Sequence, residues 1–328
     1  MKVRILKGET SVVVFEELRK SGRISGAELA EKAGISRTAV WKAIEKIRNS
    51  GYCVEAVKGV GYTLTSEPEI PVYELASLCF SRGVEEFYYF ETVDSTNTFL
   101  KKLVSERGVK AFAIAKTQTS GRGRLGRKWF SDEGGLYFSL SSSFGAGVDS
   151  GFGVEDVPKV TLCAGVAVCK ALRKFADVYL KWPNDVMLNG KKVCGILCEL
   201  VGETERLWVI VGVGINVRNR VQDACKETCK IRATSLWEEG VRVSLKDVSM
   251  EVISSLFDYL STLPEDWEKI RKEWLEMAKP MLGRTVEVTS AGVRYRGIAR
   301  GIDERGALIL ESGEKTIRVF SGDCFYGR

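Results

Sequence analysis

The chain has 328 residues, 45% hydrophobic and 28% charged, with a formal net charge of +6. That is the balance of a soluble globular protein with room for two or three domains, and it excludes a disordered chain. No run approaches the ~18–20 apolar residues of a membrane span, and no signal-peptide pattern opens the sequence, so a cytoplasmic protein without membrane contact is expected. Histidine is absent, which removes imidazole bases, histidine-ligated metals and Ser-His-Asp triads together. The nine cysteines, odd in number and scattered through apolar stretches, read as small buried hydrophobes in a reducing compartment. Only Cys225 and Cys229, four apart in a polar stretch, are spaced for a metal or redox pair.

Residues 1–65 hold twelve Lys and Arg against seven Asp and Glu, so nearly all of the basic excess is N-terminal, as in a segment that meets a polyanion. The pattern there predicts a helix over Ser11–Lys20 and a short helix over Ser25–Ala33, with Ser25 and Glu28 in capping-box spacing. Gly34-Ile35 turns tightly, Ser36 opens a third helix that Gly51 ends, and a hairpin follows, with Tyr52, Val54 and Ala56 alternating before a Lys58–Gly61 turn and a return at Tyr62–Leu64. This is the order of a winged helix-turn-helix, whose second paired helix enters the DNA major groove. With Val40, Ile44 and Ile47 inward, Arg37 and Thr38 are placed for base edges. Trp41 faces outward, while Lys42, Arg48 and the wing's Lys58 suit phosphates. Residues 66–71, with two prolines and no period, read as a linker.

In the second segment, strands at Glu86–Phe90 and Ala111–Lys116 flank a helix over Ser95–Glu106, and Leu136–Ser143 is a further strand. Val160 to Phe175 marks a buried helix. Asn189-Gly190 is a two-residue hairpin turn joining Asp185–Leu188 to Lys192–Glu199. A strand at Leu207–Val217 and two helices, through Val252–Leu260 and Trp267–Trp274, complete it. Mixed order without a βαβ repeat points to an α+β domain over 66–279, a mixed sheet with helices on one side. In 280–328, short alternating strands punctuated by Gly283, Gly292, Gly297, Gly301, Gly306, Gly313 and Gly322 predict a small β-barrel.

Gly121-Arg122-Gly123-Arg124-Leu125-Gly126-Arg127-Lys128-Trp129 contains a literal G-x-G-x-x-G. A dinucleotide fingerprint needs a helix next, and here Arg-Lys-Trp-Phe and a strand follow; a P-loop needs G-K-[ST], which is missing. What remains is a glycine-rich loop with four cations, suited to wrap phosphate oxygens and expected to be mobile until a phosphate offsets the repulsion among them. A nucleic-acid-binding loop is the alternative reading.

This loop resembles the G-R-G-R-x-G-R-x-W signature of the biotin–protein ligases. Asp94-Ser95-Thr96-Asn97, Lys181-Trp182-Pro183-Asn184-Asp185, Lys192–Glu199 and Gly212-Val213-Gly214-Ile215-Asn216 follow in the order of that family. The related lipoate ligases carry an R-R-x-S-G-G-G loop and a downstream histidine, both absent here; Leu125 stands where relatives often have a polar or basic residue. The resemblance covers the whole chain and points to the bifunctional ligase–repressor subgroup. It implies a central class II synthetase-like catalytic domain and an SH3-like C-terminal barrel.

It further implies a two-step reaction. The biotin carboxylate attacks the α-phosphate of MgATP, and the adenylate then acylates a lysine of a biotin carboxyl carrier protein. Both nucleophiles come from substrates, which agrees with the missing histidines. No tightly bound cofactor is expected, only biotin as substrate and Mg2+ with ATP. By matching, Ser95, Thr96, Asn97, Gln118, Arg122, Gly123, Arg124, Lys192 and Gly195 are expected to bind biotin. Gly121, Arg122, Arg124, Arg127, Trp129, Asn184 and Asn216 are expected to bind ATP or the adenylate. Lys192, Lys181 and Arg124 are the expected catalytic residues. Ser95 also reads as a helix N-cap. Trp129 either stacks near the adenine or anchors the loop. Asn184 and Asp185 either hold Mg2+, or Asp185 helps deprotonate the incoming lysine. Operator DNA and a homodimer formed through the central sheet when the adenylate is bound complete the expected partners. A ligase whose winged domain no longer represses is the alternative; a sensor without catalysis would not need Lys181, Lys192 and the arginine loop.

Overall fold

The computed structural model describes residues 2–57, 59–144, 153–202, 207–221 and 232–326; Lys58, Cys225 and Cys229 lie outside them. The chain opens with a strand that the pattern did not predict, β1 (Lys2–Leu6), followed by α1 (Thr10–Ser21), β2 (Arg23–Ile24), α2 (Gly26–Ala33), α3 (Arg37–Asn49), β3 (Cys53–Val57) and β4 (Gly61–Ser66). The expected capping box forms: the Ser25 hydroxyl accepts the Glu28 N–H at 3.1 Å, and the Glu28 carboxylate accepts the Ser25 N–H at 3.3 Å. Ser36 caps α3 through the Ala39 N–H at 3.1 Å, and Gly34 takes the left-handed conformation between the helices. Leu18, Leu29, Val40, Ile44 and Ile47 are buried between α1, α2 and α3. This core aims the outer face of α3 at solvent.

The central domain contains α4 (Val72–Ser81), β5 (Glu86–Val93), α5 (Thr96–Arg107), β6 (Ala111–Gln118), β7 (Leu136–Phe144), α6 (Val157–Leu172), β8 (Val178–Lys181), β9 (Asp185–Leu188), β10 (Lys191–Val201), β11 (Leu207–Ile215), α7 (Leu245–Leu260) and α8 (Trp267–Met277). Its strands run in the order β1-β5-β6-β7-β11-β10-β9-β8, antiparallel except for the β5/β6 pair. Helices cover both faces rather than one. Phe87, Phe112, Ile114 and Val209 pack with α6 and α7, while Tyr88, Phe90, Ala113 and Ile210 pack with Leu100, Leu103 and Val104 of α5. The unbroken apolar runs of β5, β6 and β11 are what a sheet buried on both faces requires. A five-stranded antiparallel sheet follows, from β12 (Thr285–Ser290), β13 (Val293–Ile302), β14 (Leu308–Ser312), β15 (Lys315–Val319) and β16 (Asp323–Tyr326), in the order β15-β14-β13-β12-β16. It is pinned to the central domain by two indoles, Trp182 Nε1 donating to Gly306 O at 3.2 Å and Trp267 Nε1 to Glu304 O at 2.6 Å. Among the described residues no helix is long and apolar enough to cross a membrane.

Residues 2–6, which composition groups with the N-terminal domain, therefore belong to the central sheet, pairing antiparallel with Glu86–Phe90. Ile5 points into the core at 1% exposure. The charged alternate row meets partners across the edge: Arg4 Nη2 lies 3.0 Å from Glu86, which Arg107 at the end of α5 also binds, and the Lys2 ammonium sits 4.8 Å from the Phe99 ring centre. A second joint ties the winged domain down. Phe15, Tyr52 and Tyr73 stack with ring centres 5.1–5.7 Å apart, and the Tyr52 hydroxyl accepts the Tyr73 N–H at 2.9 Å while donating to Glu74.

Burial holds the Glu74 carboxyl above the usual carboxylate range, against the hydrogen bond from Tyr52 and with help from the Glu67 charge. A carboxyl that binds its proton more tightly when folded contributes stability that is full below the unfolded value of about 4.3 and is lost as pH rises through the higher folded value. Glu74→Gln is expected to remove that fall. Its urea midpoint will change less than wild type's between about pH 5 and about pH 8, and identical pH dependences would contradict the assignment.

Candidate active site

A cavity of about 620 Å³ opens between the arginine loop, the ends of β6, β9, β10 and β11, the N-terminus of α5, and β16. It is lined by Ser95, Thr96, Asn97, Gln118, Arg122, Gly123, Arg124, Arg127, Trp129, Lys181, Asn184, Asp185, Lys192, Gly195 and Asn216. Of the residues assigned to ligand binding from the sequence, only Gly121 does not line it. A Cβ there would fall 2.3 Å from Trp129 O, so Gly121 closes the base of the loop, accepting the Trp129 N–H at 2.8 Å.

One end of the cavity is a neutral hydrogen-bond chain. Gln118 Oε1 accepts the Thr96 N–H at 2.9 Å, Thr96 Oγ1 lies 2.7 Å from Ser139 Oγ, and Ser139 donates to Asn97 Oδ1 at 2.6 Å. Asn97 Nδ2 donates onward to Glu199 at 2.9 Å and to Leu197 O at 3.3 Å. Ser95 caps α5 through the Thr98 N–H at 3.4 Å and lies against the cavity. Sequence reasoning missed Ser139. Its signal was a serine inside an apolar strand, where a hydroxyl at 0% exposure must have partners.

The other end gathers cations, each with a resting partner. Arg122 Nη1 is 3.4 Å from Glu199, Arg124 Nη1 donates to Gly322 O at 3.1 Å, and Arg127 pairs with Asp323. Burial holds the Arg124 guanidinium below its usual pKa, with the nearby Asp323 and Asp185 charges working the other way. Lys192 Nζ lies 2.5 Å from Asp185 Oδ1 and Lys181 Nζ 3.6 Å from Oδ2; Lys181, at 2% exposure, also donates to Cys324 O. Burial opposes ionisation of Asp185, yet the two ammonium groups outweigh it and hold the carboxyl below its usual range. The expectation that only a phosphate offsets the repulsion in the loop is thus corrected. Glu199, Asp323 and the Gly322 carbonyl, all distant in sequence, supply negative charge or dipole.

Two further expectations change. A resident Mg2+ needs several free hard oxygen ligands, whereas both Asp185 oxygens face ammonium groups, and Asn184, whose Nδ2 donates to Ile196 O at 2.6 Å, has one side-chain oxygen to offer. This donor set does not fit a metal held by the protein, and no group of three Cys, Asp or Glu side chains that could hold a metal ion occurs among the described residues. Asn216 lines the cavity but spends its amide on Thr234 O at 3.1 Å and accepts from Asn219 at 2.9 Å. It braces the wall.

The G-V-G-I-N stretch, weak as a motif, acquires a steric meaning. A Cβ on Gly212 would fall 2.0 Å from Asn97 Oδ1, and one on Gly214 would fall 2.4 Å from Trp129 Nε1. The Trp129 indole is wedged against Gly214 and Gly195, beneath the Lys192 ammonium at 5.2 Å, with its N–H buried and unpartnered. It anchors the loop here. Gly214→Ala is expected to expel the indole and free the loop, raising the rate of tryptic cleavage at Arg122–Lys128 by about tenfold, since one or two kcal/mol separate closed from open populations. Wild-type cleavage would show that the wedge does not hold the loop.

On the winged domain, Arg37, Thr38, Trp41 and Lys42 are exposed on one face of α3, with Trp41 at 55%. Arg48 is not free for phosphate: its guanidinium donates to Val54 O at 2.9 and 2.6 Å and to Glu45 at 2.6 Å, bracing α3 against the hairpin.

Known proteins match in the same three parts. Residues 13–63 match an HTH domain, 89–216 the Biotin/lipoate A/B protein ligase family, and 281–327 the Biotin protein ligase C terminal domain. The Bifunctional ligase/repressor BirA of Bacillus spizizenii is 33% identical over 313 residues, 93% of this chain and 94% of that protein. Its namesake in Escherichia coli is 32% identical over 300 residues, 88% of each. The solved structure of the biotin protein ligase from Aquifex aeolicus, in complex with biotin and ATP, aligns with a TM-score of 0.61 and 32% identity over 74% of this chain and 98% of that one. The chain belongs to the biotin protein ligase family, in the bifunctional ligase/repressor group that carries an N-terminal HTH domain.

Proposed function

We propose that the protein condenses biotin with MgATP to biotinyl-adenylate, passes the biotinyl group to a lysine of a carrier protein, and uses the adenylate-bound state to hold operator DNA. The observation that carries this reading is the meeting of a neutral hydrogen-bond chain and seven cations in one cavity. The ureido ring of biotin is polar and uncharged; inside an apolar pocket it needs donors and acceptors in place of water. Ser95, Thr96 and Gln118 supply them. The carboxyl end of biotin then points toward Lys192 and the arginine loop, where a triphosphate is bound by charge.

The reaction needs no base from the protein in its first step, because biotin arrives as a carboxylate. Its oxygen attacks the α-phosphorus, and pyrophosphate leaves with the bond electrons. Negative charge accumulates on the α-phosphoryl oxygens, and Lys192, Arg122 and Arg124 offset it within a site that holds them in advance. Lys181, buried behind Asp185, keeps that carboxylate in place and so fixes Lys192. In the second step the carrier lysine attacks the acyl carbon and AMP leaves. The low carboxyl pKa of Asp185 makes it a weak base, so its role is to orient the two lysines. Mg2+ enters and leaves with the nucleotide.

For DNA, Arg37 and Thr38 at the N-terminal end of α3 read base edges, while Lys42 and the wing contact phosphates. Beyond Ile196, where Asn184 takes the last cross-strand bond, Leu197–Val201 of β10 pairs with β11 alone among the described residues. This open edge supports a dimer formed through the central sheet, and a twofold pair of winged domains matches a palindromic operator.

Lys192→Ala is expected to lower adenylation about a hundredfold or more, the scale of one or two charge contacts at the transition state, with biotin affinity nearly unchanged. Pyrophosphate release measures it, and a wild-type rate removes Lys192 from the mechanism. Arg37→Ala is expected to narrow the gap between operator and random DNA. Lys42→Ala is expected to weaken both equally and flatten the salt dependence by about one unit of slope. An unchanged affinity ratio in Arg37→Ala would contradict base readout at that position.

A further inference from the structure

We infer that Glu199 is a positioning residue for biotin, fixing the direction of every hydrogen bond in the chain that lines the ureido end of the cavity. The inference rests on assigning that end to biotin. Glu199 sits on β10, one strand position from the cavity wall, and its carboxylate touches three groups: Asn97 Nδ2 at 2.9 Å, Lys101 Nζ at 3.2 Å and Arg122 Nη1 at 3.4 Å. Flanked by two cations it is a carboxylate, and a carboxylate only accepts.

That single fact propagates. Asn97 must turn its NH2 toward Glu199, with the second N–H on Leu197 O, so Oδ1 faces Ser139. A hydroxyl has one proton, and Ser139 spends it on Asn97 Oδ1 at 2.6 Å. With the Ser139 proton spent on Asn97, the Thr96 proton goes to one of two oxygens of the wall, Ser139 Oγ at 2.7 Å or Gln118 Oε1 at 3.2 Å. With its proton turned inward, Thr96 Oγ1 can present only lone pairs to the cavity. An N–H of a bound ureido ring finds an acceptor there, whereas a reversed chain, with Ser139 donating to Thr96 and Thr96 to Gln118, spends a Thr96 lone pair inside the wall. Gly212 leaves room for the Asn97 amide, and a side chain there would break the chain at its middle.

Glu199→Gln preserves shape and removes the constraint, because an amide can either accept or donate and the whole chain can reverse. Ser139→Ala cuts the same chain one link further on. Isothermal titration of the full-length variants with biotin and separately with ATP, beside thermal unfolding, tests the inference. Glu199→Gln is expected to weaken biotin about tenfold, the scale of one buried polar group left mismatched, with ATP affinity within about threefold and the unfolding midpoint unchanged. Ser139→Ala is expected to lose a similar factor, and the double variant no more than either single one, since both act through one chain. Thr96→Val separates the two layers of the argument. If Thr96→Val weakens biotin and Glu199→Gln does not, the positioning role is overturned and the pocket assignment stands. If neither matters, both fall. Additive losses, or an equal loss of biotin and ATP affinity with a lower midpoint, would show a merely structural carboxylate and overturn the inference.

Discussion

Seven cations lining one cavity repel one another, and the way this chain holds five of them, Arg122, Arg124, Arg127, Lys181 and Lys192, together without a phosphate shapes much of the molecule. Each is matched to a specific negative group: Glu199, the Gly322 carbonyl, Asp323 and Asp185. The pairings are graded by burial. Lys181 and Asp185 are nearly inaccessible, where removing one partner would strand the other charge at a cost of several kcal/mol (about 3–5). Arg122 and Arg127 are half exposed, so their ion pairs are weak in water and exchange easily for a triphosphate. The site thus combines a fixed inner pair of lysines with an outer set of arginines that a ligand can recruit.

This division explains why the central and C-terminal domains share one site. The C-terminal sheet contributes no side chain with obvious chemistry, yet β16 supplies Asp323 to Arg127, and the carbonyls beside it go to Arg124 and Lys181. The two indole anchors at Gly306 and Glu304 hold that strand against the cavity. On the opposite side, α5 begins with Thr96 and Asn97 of the cavity's hydrogen-bond chain and ends at Arg107, which shares Glu86 with Arg4 of β1. Three residues after β1, α1 of the winged domain begins, and Glu9 between them reaches Lys46 of α3 at 2.7 Å. The DNA-reading helix is therefore linked to the ligand-binding helix by contacts, not by a loose linker alone.

Much of this was legible in the sequence, for local reasons. The capping box at Ser25 and Glu28, the Ser36 cap and the Asn189-Gly190 turn are short-range rules, and they form as read. The cavity residues of the arginine loop, β9, β10 and β11 followed from a resemblance with dense motifs, whereas those of β16 and the stretch after Asn216 carried no motif. What escaped was long-range. β1 is only five residues, two of them charged, and is a strand only because β5 offers an edge. α4 lacks a polar face because it is buried between two domains, so it shows no period. Helices on both faces were hidden because continuous apolar runs do not reveal which side is covered. Arg48 looked like a phosphate ligand until Val54 and Glu45 claimed it. Glu199 and Asp323 escaped assignment for the same reason: their partners lie far along the chain.

In the proposed function one cavity serves both activities, with the adenylate as the signal that the winged domain reports. Fluorescence anisotropy of DNA from upstream of the host's biotin-synthesis genes, titrated with the full-length protein, tests it directly. Binding should tighten strongly only when biotin and MgATP are both present. Binding that is weak and indifferent to both, from a preparation that still biotinylates a carrier protein, would contradict it.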